Sequence, residues 1–378
     1  MVAMRVIIDT NIFFRDFTLD NPAFRTLLSG LKLANHSLFV PRIVFEEVVN
    51  KYDEETKKLF KDAGKLGVKK LSSPFSRDVF FTSAEEVKEK YKEFLNQKLK
   101  SVDTQILDYP TISHENLVKR ALDRRKPFRG TDTGGYRDAL IWETVLEMAY
   151  RDPKENIALV SSNHIEFADD QNKEMLHPHL RSDIQELGEK GSEVYLFKDL
   201  ETFVEKYIKP VLESPEGIRS QLQDGTYPKL NLRRLLEENI PLSFDRAEFD
   251  PRDLGFPWEF ENPSIGLVDE VYDIKNIDVR KLPTDELLIS FSAEVECEFD
   301  FFLSKENFYT LGDDIMPLVW DKDWNKHYMA ASASAHVELE IRLTFNVAEG
   351  QVTSAQITGI SPKEEWWERK NRVANNGD

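Results

Sequence analysis

The sequence predicts an α/β domain, a parallel sheet flanked by helices, followed by a smaller antiparallel β-rich domain. Three observations carry this. Through about residue 210, short apolar runs alternate with stretches of helical periodicity, the pattern of strand–helix–strand units. Beyond Leu212 that pattern stops, and long runs alternate apolar and polar residues with a period of two. The chain has 378 residues, enough for two domains each with its own core. The expected boundaries are 1–213 for the α/β domain, 214–265 for an irregular, proline-rich linker, 266–362 for the β-rich domain and 363–378 for a polar tail.

Residues 4–8 (Met-Arg-Val-Ile-Ile) read as a short buried strand ending at Asp9. Asn21 and Pro22 are a helix cap and first helical residue, opening a helix over 21–34. A second strand covers Ser37–Val40, and Pro41 opens a helix running to about Phe60. Val87, Tyr91, Phe94 and Leu95 make a helical stripe over 84–100, and Ser113–Arg124 is another helix. Pro127–Gly135, rich in glycine, is a loop. Tyr136–Tyr150 is the most apolar helix. Strands at Asn156–Ser161 and Glu193–Phe197 bracket a helix at Ser182–Glu189, and a last helix runs from Asp199 to about Leu212. In the second domain Phe291–Leu303, Ala333–Val347 and Val352–Ile360 are antiparallel strands. An outward acidic ladder of Glu294, Glu296, Glu298 and Asp300 lies on one of them.

The composition, 40% hydrophobic and 31% charged, is that of a globular protein, and no run approaches the roughly 18 apolar residues of a membrane span. The apolar stretch at the start is too short for a signal peptide. Cys297, the single cysteine, rules out an intrachain disulfide and a thiolate zinc site, so a reducing cytoplasm is the expected location. The net charge of −18 argues against nucleic acid until it is divided. Residues 214–378 hold 17 Lys+Arg against 32 Asp+Glu, a net of −15, which leaves −3 for residues 1–213. The first part also contains a basic run from Lys119-Arg120 through Arg124, Arg125 and Lys126 to Arg129. Such a run can hold phosphates; a solvated helix face explains it equally well.

Asp9 stands just beyond a buried strand, where α/β folds place ligands; an Asp there also caps a following helix. Glu46 and Glu47 lie on the helix after the second strand. Glu47, three residues from Val44, belongs near the buried face, where a carboxylate needs a partner or a metal; Glu46 belongs to solvent. Asp138 opens the most apolar helix, a position the helix dipole also favours. Asn163 and Glu166 follow the strand at 156–161. Tyr136 and Trp142 read as core residues, His164 as a loop residue, and His177-Pro178-His179 as a helix entry.

The segments IIDTNIF, VPRIVFEEVV, GYRDALIW and LVSSNHIEF, in this order, resemble the PIN domain, in its larger bacterial form, over roughly residues 4–210. The resemblance implies that Asp9, Glu47 and Asp138 are catalytic metal ligands and that Glu166 occupies the position of the family's last acid, usually Asp, with Asn163 as a further ligand. Thr10 and Asn11 fall where the family supports its site from behind. It also implies Mg²⁺ or Mn²⁺, one ion or two, and hydrolysis of single-stranded RNA to a 3′-hydroxyl and a 5′-phosphate. Acids packed so closely need a cation to stay ionised. Arg124, Arg125, Lys126, Arg129 and Arg137 are the expected contacts to the RNA backbone, with a salt bridge as the other reading of Arg137. A toxin or defence role follows by analogy alone. The rival functions are a non-catalytic PIN scaffold for RNA or protein and a structure-specific DNA nuclease. For the β-rich domain, the expectation is a protein-interaction or self-association surface or a cover for the nuclease site, against a plain solvated sheet face.

Overall fold

Five short strands, β1 (Met4–Ile8), β2 (His36–Pro41), β3 (Gln105–Leu107), β4 (Asn156–Val160) and β5 (Val194–Phe197), form one parallel sheet in the order β3-β2-β1-β4-β5. The computed structural model describes residues 3–65, 84–128, 135–188, 192–243, 248–308 and 318–364. It divides into two units, Met1–Leu212 and Glu213–Asp378. In the first, β1 is buried along its whole length because it pairs on both sides, Ile7 with Phe39 of β2 and Ile8 with Val160 of β4. A strand covered on both faces can be almost wholly apolar, as β1 is apart from Arg5 and β4 apart from Asn156.

The helices in chain order are α1 (Thr10–Phe13), α2 (Pro22–Gly30), α3 (Arg42–Lys65), α4 (Ala84–Lys100), α5 (His114–Leu122), α6 (Tyr136–Arg151), α7 (His164–Phe167), α8 (Pro178–Glu186), α9 (Leu200–Phe203) and α10 (Lys209–Leu212). A π-helical turn over Val204–Ile208 joins the last two. The caps follow side-chain chemistry: Asn21 accepts from Phe24 N and Ser113 from Asn116 N. At Gly30, α2 comes so close to the chain's return that an added Cβ would sit 2.2 Å from Ile208 Cγ2.

Arg5 and Trp142 are among the polar side chains buried in this unit. Arg5, on the central strand, donates to the carbonyls of Met148 (2.9 Å), Asp152 (2.6 Å) and Glu155 (2.8 Å) and to Ser192 Oγ (2.8 Å). These acceptors on both terminal nitrogens are what make a buried guanidinium tolerable. Trp142, fully buried on α6, donates its indole N–H to Asp183 Oδ2 at 2.8 Å.

The second unit holds an antiparallel sheet in the order β10-β9-β7-β6, from β6 (Glu261–Lys281), β7 (Glu286–Ser304), β9 (Tyr328–Asn346) and β10 (Gln351–Pro362), with the short β8 (Val319–Asp321) on β9. The predicted fold class holds. Residues 214–265, expected to be irregular, instead carry α11 (Pro215–Gln223), α12 (Leu232–Ser243) and a 3₁₀ turn at Pro251–Leu254, and the sheet already begins at Glu261. The prolines misled: Pro215 and Pro251 are first residues of helical turns, where the missing N–H costs nothing. Ile218, Leu222, Leu235 and Leu236 of these helices join the sheet's inner face, Phe291, Val295, Phe299 and Phe301, in one core. β6 escaped detection because its register against β7 shifts repeatedly, which breaks the period of two. A short helix, α13 (Lys305–Phe308), follows β7. The expected tail lies, from residue 365 on, outside the described residues.

The outward ladder is not uniformly acidic. Glu294 faces Glu338 across the strands, but His336 Nε2 lies 3.0 Å from Glu294, and Lys275 and Lys363 both pair with Glu338.

Candidate active site

In the first unit the chain passes from β1 to β2 on one side and places β4 on the other, so the carboxyl ends of these strands frame the crevice where the strand order reverses. Asp9 leaves β1 at that point and its own N–H donates to Val160 O of β4 at 2.9 Å. Glu47 sits on α3, which follows β2. Asp138 lies in the first turn of α6, and Asn163 and Glu166 follow β4 on α7. Four chain segments distant in sequence therefore send oxygen-bearing side chains to one edge of the sheet.

Hydrogen bonds lace them together. Asp9 is 3% exposed; its Oδ1 accepts from Thr10 N (2.6 Å), and its Oδ2 from Asn11 Nδ2 (2.7 Å) and Ser161 Oγ (2.5 Å). Thr10 Oγ1 donates to Glu47 Oε2 at 3.0 Å. Asn163 Nδ2 donates to Asp138 Oδ1 at 3.1 Å. Asn11 Oδ1 accepts from Ser162 N, and Ser161 Oγ from Asn163 N, so the ends of β1 and β4 are tied through side chains.

The electrostatics follow from crowding and burial. Burial pushes the Asp9 carboxyl up to about 7; Ser161 and the Thr10 N–H oppose this, while the charges of Asp138 and Glu47 add to it. Asp138 is raised as well, first by burial, then by Glu166 and Glu47, against the Asn163 bond and Arg137. Glu166 is completely buried in the same group. Buried carboxyls raised together in a crevice at a sheet's carboxyl edge make this the candidate site. Residues 6–167 match the family model described as PIN domain.

The N-terminal unit is a PIN domain.

The family consists for the most part of nucleases that use divalent metal ions. Among solved structures the chain matches the crystal structure of VapBC2 from Rickettsia felis bound to a DNA fragment from their promoter. The identity is 14% and the TM-score 0.24, over 51% of this chain and 99% of that one. No curated protein matches.

Asp9, Glu47, Asp138 and Asn163 of this PIN domain offer oxygen donors only, which suits Mg²⁺ or Mn²⁺ and no soft metal. Among the described residues, no three Asp, Glu, His or Cys side chains stand together as a finished cation cage. The Arg137 guanidinium, 64% exposed, is bound to Glu47 Oε1. A cation would take over the charge that Arg137 now balances.

The basic run fares differently from the expectation that it holds RNA. Arg125 binds Asp183 and Glu186, and Arg120 joins it on Asp183, the acceptor of the Trp142 indole. Lys126 Nζ donates to Ile165 O at 2.5 Å. Arg137 is spent on Glu47, while Arg124 stays exposed. Arg129 lies outside the described residues. Arg125 and Lys126 thus tie the chain after α5 to α8 and α7, with Asp183 a buried carboxylate that two arginines reach. Two contributors went unread in the sequence. Ser161 is a bare serine after a strand, whose role appears only when β1 and β4 pair. Asp183 is one acid in a polar helix, with no local sign of its partners. Tyr136, read as core, is 46% exposed. No described helix is long and apolar enough to cross a membrane.

Proposed function

We propose that this protein is a divalent-metal-dependent endoribonuclease that hydrolyses phosphodiester bonds in single-stranded RNA. The observation that carries this reading is the group Asp9, Glu47, Asp138 and Glu166, drawn from four elements of a PIN domain, in which burial first and the neighbouring charges of Asp138 and Glu47 second push Asp9 up to about 7. Asp9, Glu47 and Asp138 would hold Mg²⁺ or Mn²⁺, with Asn163 and Glu166 completing the set. The bound ion supplies an activated water and charge neutralisation at the phosphate. The chain's own contribution is orientation. Thr10, Asn11 and Ser161 fix both oxygens of Asp9. Thr10 also fixes Glu47, and Asn163 fixes Asp138. Arg137, exposed beside Glu47, would be the cation to meet a phosphate oxygen if Glu47 held a metal.

The test is cleavage of labelled single-stranded RNA with Mn²⁺ or Mg²⁺, beside the same DNA sequence. Asp9→Asn and Asp138→Asn are expected to lower the rate by roughly 100-fold or more and to abolish the rise in Tm that Mn²⁺ gives the parent. Equal cleavage by parent and variants would sink the mechanism. A second reading, a scaffold that binds RNA without cutting it, draws on Arg137 already neutralising Glu47; a parent whose Tm ignores Mn²⁺ would favour it.

A further inference from the structure

Beside the acidic crevice, a half-open pocket of about 380 Å³ lies between α3, the segment at 109–112, α5 and α6. Its floor is apolar, with Ile43, Ile112, Leu117 and Leu140, and two tyrosines line it, Tyr109 at 47% and Tyr136 at 46% exposed. Soluble proteins leave single large apolar side chains exposed routinely, but two tyrosines around one concave apolar floor are a feature to account for. We propose that this pocket is a nucleobase subsite, in which Tyr109 and Tyr136 hold one unstacked base of the RNA beside the scissile phosphate and set where the strand is cut. This rests on the ribonuclease reading and adds a substrate contact to it.

Three observations favour a base over other occupants. The first is size, since the volume suits one planar ring system and is too small for a helix. The second is charge. Tyr109 donates its hydroxyl to Glu46 Oε2 at 2.7 Å, so a carboxylate stands at the rim. With Arg42 beside Tyr109 and His114 in the lining the rim carries both signs of charge, so it is no phosphate clamp, and the Glu46 carboxylate can accept from the N–H groups of a base. The third is continuity. Glu46 and Glu47 are adjacent on α3, about 3.8 Å apart at Cα, and while the first holds Tyr109, the second belongs to the acidic group. Likewise Tyr136 is followed by Arg137, which reaches Glu47, and then by Asp138. A strand whose phosphate meets the carboxylates therefore passes within about a helical turn of the tyrosines, since α3 and the first turn of α6 contribute to both places. Sequence-specific recognition of single-stranded RNA commonly stacks splayed bases on aromatic side chains.

The experiment uses the full chain carrying Asp138→Asn, to suppress cleavage, and a short single-stranded RNA containing 2-aminopurine, whose fluorescence falls on stacking. Quenching on binding is expected, as is its loss when Tyr109→Leu and Tyr136→Leu are combined, together with about 5- to 100-fold weaker affinity. Tyr136→Phe keeps the ring and should keep both signals. In the otherwise unaltered enzyme, the double substitution should blur the cleavage positions on a mixed-sequence RNA while metal-dependent cutting persists. Melting curves show that each variant is folded. If the double variant quenches and binds like its parent, or cuts at the same positions, the subsite is wrong and the ribonuclease reading stands; a protein side chain would then be the better occupant. A parent that neither binds nor cuts RNA overturns both.

Discussion

Asp9 accepts three hydrogen bonds and still has its carboxyl pushed up to about 7, because burial and the charges of Asp138 and Glu47 outweigh them. The sign of the consequence follows by linkage. A carboxyl raised on folding binds its proton more tightly in the folded state than in the unfolded one. Its stabilising effect is therefore present at low pH and is lost as pH rises from about 4, the unfolded value, through about 7. Asp138 shifts in the same direction. For metal-free protein, Tm should fall between pH 5 and pH 8 more steeply in the parent than in Asp9→Asn, and Mn²⁺, which prefers the ionised carboxylate, should raise the parent's Tm more at pH 8 than at pH 5. Parallel pH profiles for parent and variant would show that Asp9 does not carry the proton. At this scale the sequence exposed the acids but not their supports. Asp9 follows a strand, Asp138 lies in the first turn of a helix and Glu47 stands three residues from Val44 on its helix, positions visible along the chain. Ser161 and Asp183 act through partners more than 40 residues away in sequence or across the sheet, and nothing in their neighbours reveals it.

At the level of elements, α6 depends on a residue that is not part of any site. Gly135 precedes it at φ 99°, in the left-handed region, and an added Cβ would lie 2.6 Å from Pro127 O. Both the backbone angle and the contact exclude a side chain, and the helix that starts there aims Asp138. Gly135→Ala should cost about 1–2 kcal/mol from the backbone angle alone, which lowers Tm by roughly 2–8 °C in a unit of this size. Because any relief of the clash shifts the start of α6, RNA cleavage should also fall, more than Tm accounts for at the assay temperature. A variant with parental Tm and rate would show that this turn is not constrained. The long strands and capped helices were legible because periodicity and caps are local: Asn21, Ser113 and the alternation of Phe291–Leu303 announced their elements. β3 is three residues long and partly exposed, too brief for any periodicity. α11 and α12 were obscured by prolines that start helices as readily as they end them.

On the scale of the whole molecule, two separate cores carry very different charge. Among the described residues, the core around β1, β4 and α6 draws on none beyond Leu212, and all the proposed metal ligands lie within Met1–Leu212. The second unit brings most of the net −18. A charge of that sign repels a polyanion over about a Debye length, some 10 Å at 0.1 M salt and far longer in dilute buffer. It therefore opposes RNA association wherever on the protein it stands close enough to be felt. A fragment ending at Leu212 should fold on its own, keep the Mn²⁺-dependent rise in Tm, and bind single-stranded RNA more tightly than the full chain at low salt. The advantage should shrink steadily as salt is raised, because screening removes the repulsion while the contacts made by the PIN domain remain. Circular dichroism, thermal melts and a titration of RNA affinity against ionic strength measure all three. Affinities that differ by the same factor at every salt concentration would mean that the second unit acts on RNA binding through contact and not through charge. An unfolded fragment would mean that the first core is not self-sufficient.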